Sequence, residues 1–349
     1  TVLVIVLIHT ELVEYAPLFI AVCFMAFAVV LLESGICWRG PPLRVLGAGM
    51  ALLAFCWALA YNVMQAADFE TIPRLLSLAL VTVGFYYFYE RLYRGRLHAK
   101  EWIDSAHVVP FFSYIGLSLL VLLIGREVWG PAADWVAVAW LAPLFAVIAM
   151  TLVRRDIHFL VQTLALSALI FFWSLGVSIP ARLVELSADY RIWAVLPVII
   201  VFYGIFAAVY IKRRKPAESE KARYINWGRD VYSWAASILL VALATVEVNE
   251  VSDALTTAVW IVMVLALFET GSALKNRSFR MQAHLLMIAS CLRTGYYNVP
   301  DSLGPVLFLD GREASLLLLA VSLIYLYLRL YRSEDKSLIE LPERFWGVV

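Results

Sequence analysis

Long runs of apolar residues, broken by short polar punctuation, fill almost the whole chain. They fall at about 13–33, 43–63, 74–93, 107–125, 134–153, 157–179, 191–211, 231–248, 255–273, 279–298 and 313–331, each ended by charge, Gly, Pro or Asn. A helix needs roughly 20 mostly apolar residues to cross the hydrocarbon of a bilayer, and these runs have that length. They lack the alternation of barrel strands, and backbone groups in lipid must bond within their own segment or within a closed barrel, so the runs predict helices. The opening TVLVIVLIHT is too short to span and reads as the end of a further helix that begins before residue 1. The predicted fold class is all-α: a polytopic transmembrane helical bundle with about 11 complete spans plus a truncated first one.

Composition sharpens that picture. The chain is 63% hydrophobic and 16% charged, with a mean hydropathy of +0.82, well beyond the range of an ordinary soluble domain. Basic residues concentrate in alternate connections, among them Arg39, Arg44, Arg91, Arg94, Arg154, the run Lys212 to Lys215, Arg277, Arg280 and Arg329. Acidic residues such as Asp68, Glu185, Asp301 and Asp310 gather in the others. The positive-inside rule then places the first set in the cytoplasm of a bacterium, together with the carboxyl-terminal tail, and the protein in the inner membrane. A formal net charge of +1, with no continuous basic stripe, argues against a nucleic-acid partner.

The phrase LLESGICWRGPPLRVLGAGMALLAFCWALAYNV at 31–63 recurs as LFETGSALKNRSFRMQAHLLMIASCLRTGYYNV at 267–299. At a constant shift of 236 residues Glu33 falls on Glu269, Gly35 on Gly271, Arg44 on Arg280 and Asn62 on Asn298. A following helix closes on RLYR in both copies, and a degenerate middle copy carries FFWSLGVSI and VYIKRR in the corresponding places. The unit is thus four helices, present three times, and an even number of crossings keeps all three parallel. The predicted divisions are 1–100, 101–222 and 223–333, followed by a cytoplasmic tail at 334–349.

The stretch YNVMQAADFETIPRLLSLALVTVGFYYFYERLYRG resembles the repeating unit of an uncharacterised family of large bacterial polytopic membrane proteins, catalogued only as a domain of unknown function (family twenty-three thirty-nine). Tyr61, Asn62, Arg74, Tyr89 and Arg91 match its outline, as do Tyr297, Asn298, Arg312, Tyr327 and Arg329. The middle copy departs from it, with Val177 and Ser178 in place of the aromatic and the Asn. The resemblance implies a fold and carries no activity or catalytic residue with it.

Few residues suggest chemistry. Cys23, Cys37, Cys56 and Cys291 form no CxxC pair and no two histidines stand at i, i+4, so no metal or haem site is predicted. No nucleophile elbow, HExxH or phosphate loop appears, and no catalytic or cofactor-binding residue is assigned. Glu33 with Arg44, and Glu269 with Arg280, flank one turn and are expected to pair across it. Asn62 and Asn298 end their helices and are expected to act as left-handed caps. Arg293 lies inside a span and would snorkel, pair with an acid or hold a lipid headgroup, while Arg280 and His284 form an i, i+4 pair expected on a solvated or lipid-phosphate-facing edge. The expected function is a non-catalytic scaffold or accessory subunit that holds membrane lipids or hydrophobic partners, with a protein partner or a homo-oligomer, and without a cofactor. The alternatives are a transporter or flippase for an anionic lipid or polymer precursor, and a membrane-embedded transferase.

Overall fold

The computed structural model describes residues 2–13, 16–64, 71–95, 108–154, 156–180, 189–212, 220–298 and 311–331, and every element among them is helical. The acidic connections around Asp68, Glu185 and Asp301, the basic run after Lys212 and the tail at 334–349 lie outside the described residues. Nine described stretches, from Pro17–Cys37 to Leu255–Ala273, are long and apolar enough to cross a membrane. The expected runs at 279–298 and 313–331 are helical too but stand outside those nine. The first of them is interrupted by Arg280, Gln282, His284 and Arg293, which lower its mean hydropathy.

Two compact units divide the chain, Thr1–Ile170 and Phe171–Val349. The first holds α1 (Val2–Leu12), α2 (Ile20–Cys37) entered through a 3-10 turn at Pro17–Phe19, α3 (Pro41–Trp57), α4 (Thr71–Gly95) and α5 (Val108–Ala132). After a second 3-10 turn at Ala133–Trp135 come α6 (Val136–Ala139), α7 (Leu141–Arg154) and most of α8 (Ile157–Trp173). The second unit holds α9 (Asp189–Lys212), α10 (Glu220–Val251), α11 (Asp253–Ala273), α12 (Arg277–Arg293) and α13 (Gly311–Tyr331). The unit boundary inside α8 differs from the expected divisions at 100/101 and 222/223. Packing explains the difference, because α4 lies along α5 and α9 along α10, so close contacts cross both of those divisions.

Small residues let the helices of the first unit approach closely. A Cβ on Gly47 would come within 3.0 Å of the Ala28 carbonyl, and one on Gly84 would meet Met25, so α3 and α4 both press on α2. Phe85 and Phe88 of α4 pack on Phe112 of α5 with ring centroids 6.4 and 5.3 Å apart. In the second unit Val264, Phe268, Ala283, Met287 and Leu326 form a core between α11, α12 and α13. Helix α10 starts at Glu220, well ahead of the apolar run predicted from 231, because hydropathy cannot register a helix turn that is polar.

The turn joining α2 to α3 is a Schellman motif: Gly40 N–H reaches Gly35 O at 2.9 Å and Arg39 N–H reaches Ile36 O at 3.3 Å. Arg39 takes the left-handed position with φ 52°. The turn from α11 to α12 repeats the arrangement, with Asn276 N–H on Gly271 O at 2.8 Å and Lys275 at φ 51°. These two are the positive-φ residues of the described chain, so Asn62 is not the left-handed cap that its position suggested. It lies in a π-helical turn, Ala58–Met64, that continues α3.

Candidate functional site

Ionisable and polar side chains within the two units are used mainly to join helices. Glu33 at the end of α2 accepts Arg91 Nε at 2.6 Å and Arg91 Nη2 at 2.8 Å, and Tyr87 OH at 2.6 Å. Arg91 and Tyr87 stand one turn apart on α4, so a single face of α4 clasps the carboxylate. Glu269 on α11 is held in the same way by Tyr325 OH at 2.7 Å and Arg329 Nε at 3.5 Å, both from α13. The expectation paired these glutamates across the turn with Arg44 and Arg280. Instead the clasp comes from a helix distant in sequence, while Arg44 donates its Nε to Gly35 O at 3.2 Å.

Asn62 is buried and ties three elements together at the other end of the bundle. Its Nδ2 donates to Ser77 Oγ at 2.7 Å and Leu18 O at 3.3 Å, and Ser77 Oγ also donates to Leu18 O at 2.6 Å. The Asn298 side chain lies outside the described residues. Near the same end Arg74, in the first turn of α4, forms a buried ion pair with Glu127 of α5. Arg191 of α9 likewise meets Glu247 at 3.2 Å and Glu250 at 3.0 Å on α10. Sequence reasoning missed both pairs, although Glu11 and Glu247 stand at the 236-residue shift of the copied phrase.

A cavity of about 520 Å³ opens between α10, α11 and α12. Its walls include Trp234, Ile238, Ala242, Trp260, Leu286 and Ala289. At one end the buried Gln282 amide donates to Ser233 Oγ at 2.9 Å and Ser278 Oγ at 3.3 Å, and its Oε1 accepts from Ser237 Oγ at 2.6 Å. Ser237 also meets Tyr203 OH at 2.8 Å, which extends this seam to α9. At the other end Trp260 Nε1 donates to Thr245 Oγ1 at 2.8 Å. The polar groups lining the groove are thus engaged in joining helices, and an apolar surface faces inward. A smaller pocket of about 250 Å³ lies across Ser237, Val241 and Leu267 from it.

Arg293 sits one turn beyond Ala289, near the Trp260 end of the groove. It pairs with Asp253, reaches the Asp253 carbonyl at 3.2 Å and Asn249 Oδ1 at 3.4 Å, and lies 5.6 Å from the Trp260 ring centroid. Of the roles open to it in the sequence, the structure places it in an ion pair that staples α12 to the α10–α11 turn. His284 is buried and meets Phe268 edge-on at 6.0 Å, so it is not on the solvated edge expected for it. Arg280 lies beside Gly271, at the opposite end of α12 from Arg293 and about 20 Å along the helix. The three residues proposed to contact ligand are therefore not gathered into one site. No cluster of three or more His, Cys, Asp or Glu able to hold a metal occurs among the described residues.

Comparison with known proteins adds nothing to this geometry: no family model matches the chain, and neither a curated protein nor a solved structure does so.

Proposed function

We propose that this is a multi-pass protein of a bacterial inner membrane that acts as a scaffold or accessory subunit and holds a lipid chain in the groove between α10, α11 and α12. The observation that carries this reading is the groove itself, apolar along its walls and with its polar rim groups bonded to one another. A flexible hydrocarbon chain fits such a space, whereas an anionic transport substrate would need polar side chains turned inward. Placing tryptophan at Ala242 and at Ala289 fills the groove without touching the Gln282 seam. Protein purified in mild detergent should carry tightly retained phospholipid by mass spectrometry, and the filled variant should lose at least half of it. Equal retention by both proteins would exclude the groove as the holding site.

The same reading includes three parallel four-helix repeats, with about eleven complete spans plus the partial first one. Support comes from matching local structure at matching places. Helical segments end in π turns at Ala58–Met64, Ser174–Ser178 and Thr294–Asn298, the middle one without the Tyr-Asn of its counterparts. Gly35 and Gly271 meet Arg44 and Arg280 at the same distances. Membership in the family of unknown function whose repeat the chain resembles is a proposal of the same standing, and rests on the tyrosine, asparagine and arginine positions alone. The basic ends would face the cytoplasm. A cysteine at Arg39 should resist a membrane-impermeant thiol reagent in intact cells while one at Asp68 reacts, and reaction of both would refute the orientation.

A further inference from the structure

Two tryptophans stand at matching places in the chain and are seated differently. Trp140, between α6 and α7, is 5% exposed and donates its Nε1 to the Val121 carbonyl of α5 at 2.9 Å. Its ring lies against Gly125, where a Cβ would come within 3.2 Å of the indole Cζ2. At a shift of 120 residues Trp140 falls on Trp260, Val121 on Val241 and Gly125 on Thr245. The register has independent support: Gln162 donates to Ser113 at 2.7 Å, and at the same shift Gln282 donates to Ser233 at 2.9 Å.

Thr245 changes what the second tryptophan can reach. Its hydroxyl donates to the Val241 carbonyl at 2.6 Å and accepts Trp260 Nε1 at 2.8 Å. The hydroxyl therefore stands between the indole and the carbonyl whose counterpart Trp140 bonds directly. The branched side chain of Thr245 also occupies the room that Gly125 leaves for a ring, and its stiffness at χ1 keeps that room closed. Trp260 is thus held in the wall of the groove, with Arg293 5.6 Å from its ring centroid on α12. Two further positions change in the same sense: Leu122 and Leu169 fall on Ala242 and Ala289, both in the groove wall.

We propose that Thr245 is the positioning residue that makes this groove able to take an acyl chain. It holds the Trp260 indole aside, and with glycine in its place the ring turns onto the Val241 carbonyl and fills the space, as Trp140 is seated against α5. Trp260 is on this account a plug held withdrawn. The proposal rests on the lipid reading above and on the repeat.

Two measurements on the full chain separate the proposal from that reading. Phospholipid retained in mild detergent is quantified by mass spectrometry. The ring is followed by fluorine NMR of protein carrying fluorotryptophan, with the Trp260 signal assigned from Trp260→Phe. Thr245→Gly should move that signal and lower retained phospholipid about fivefold, because a filled groove has no room for the chain. Thr245→Ser keeps the hydroxyl acceptor and should leave the signal in place. Adding Trp260→Ala to Thr245→Gly removes the plug and should restore retention, which a mere weakening of α10 by glycine would not allow. If the signal stays put in Thr245→Gly, Thr245 does not hold the ring, and the proposal falls while the lipid reading stands. If the signal moves and phospholipid is retained in full, the groove is not the holding site, and the lipid reading falls with the proposal. A loss that Trp260→Ala fails to restore equally overturns the assignment, since its cause then lies in the helix.

Discussion

Gly35→Ala and Gly271→Ala are each expected to lower the stability of the folded protein by about 3 kcal/mol, measured by reversible unfolding in mixed micelles. A methyl group at Gly35 would lie 2.7 Å from Arg44 Cγ and 2.9 Å from Arg44 N, and at Gly271 the same distances recur against Arg280. The side chain can turn away, but the backbone nitrogen in the first turn of the next helix cannot move without displacing that helix. The Gly35 carbonyl also accepts Gly40 N–H and Arg44 Nε, so any displacement opens the turn as well. Gly49→Ala is the control, since nothing lies within 4 Å of its Cβ direction, and it should stabilise by about 0.5 kcal/mol through the lower entropy of the unfolded chain. Equal and small effects at Gly35 and Gly49 would show that the turn tolerates a wider separation of α2 and α3.

Arg74→Leu is expected to cost about 3 to 5 kcal/mol, because it leaves the mostly buried Glu127 carboxylate without its cation between α4 and α5. Helix propensity does not account for this arginine: a cation in the first turn faces the unfavourable end of the helix dipole. The ion pair offsets that. Combining Arg74→Leu with Glu127→Leu should recover most of the loss, since apolar side chains replacing both partners avoid the desolvated charge altogether. A double-mutant cycle should therefore give a coupling well above the ~1 kcal/mol of an exposed pair. A coupling near zero would mean that water reaches Glu127 and that the contact does not hold α4 to α5.

The division between what could be read in the chain and what could not follows the range of each interaction. Helix and bilayer compatibility are local properties, carried by the length and apolarity of each run, so sequence by itself determined an all-helical protein with many apolar helices. The copied phrase likewise exposed the paired turns, because identical neighbours such as Gly35 and Arg44 adopt identical local geometry.

Partner choice was not local. Glu33 and Arg44 are close in sequence and were expected to pair, but the packing of α4 on α2 brings Arg91 and Tyr87 onto that carboxylate. The π turn at Ser174–Ser178 has no Tyr-Asn signature, so only the folded backbone reveals it. Asn62 reads as a cap until Leu18 and Ser77 arrive from distant helices to take its hydrogen bonds. His284 shows the same limit: a polar residue near a helix end suggests an exposed edge, and the placement of Phe268 on α11 decides that it is buried. Sequence sets which segments enter the membrane because water and lipid discriminate residue by residue. Tertiary structure decides which side chains meet, because inside a bilayer helices are held by close packing and paired polar groups rather than by hydrophobicity.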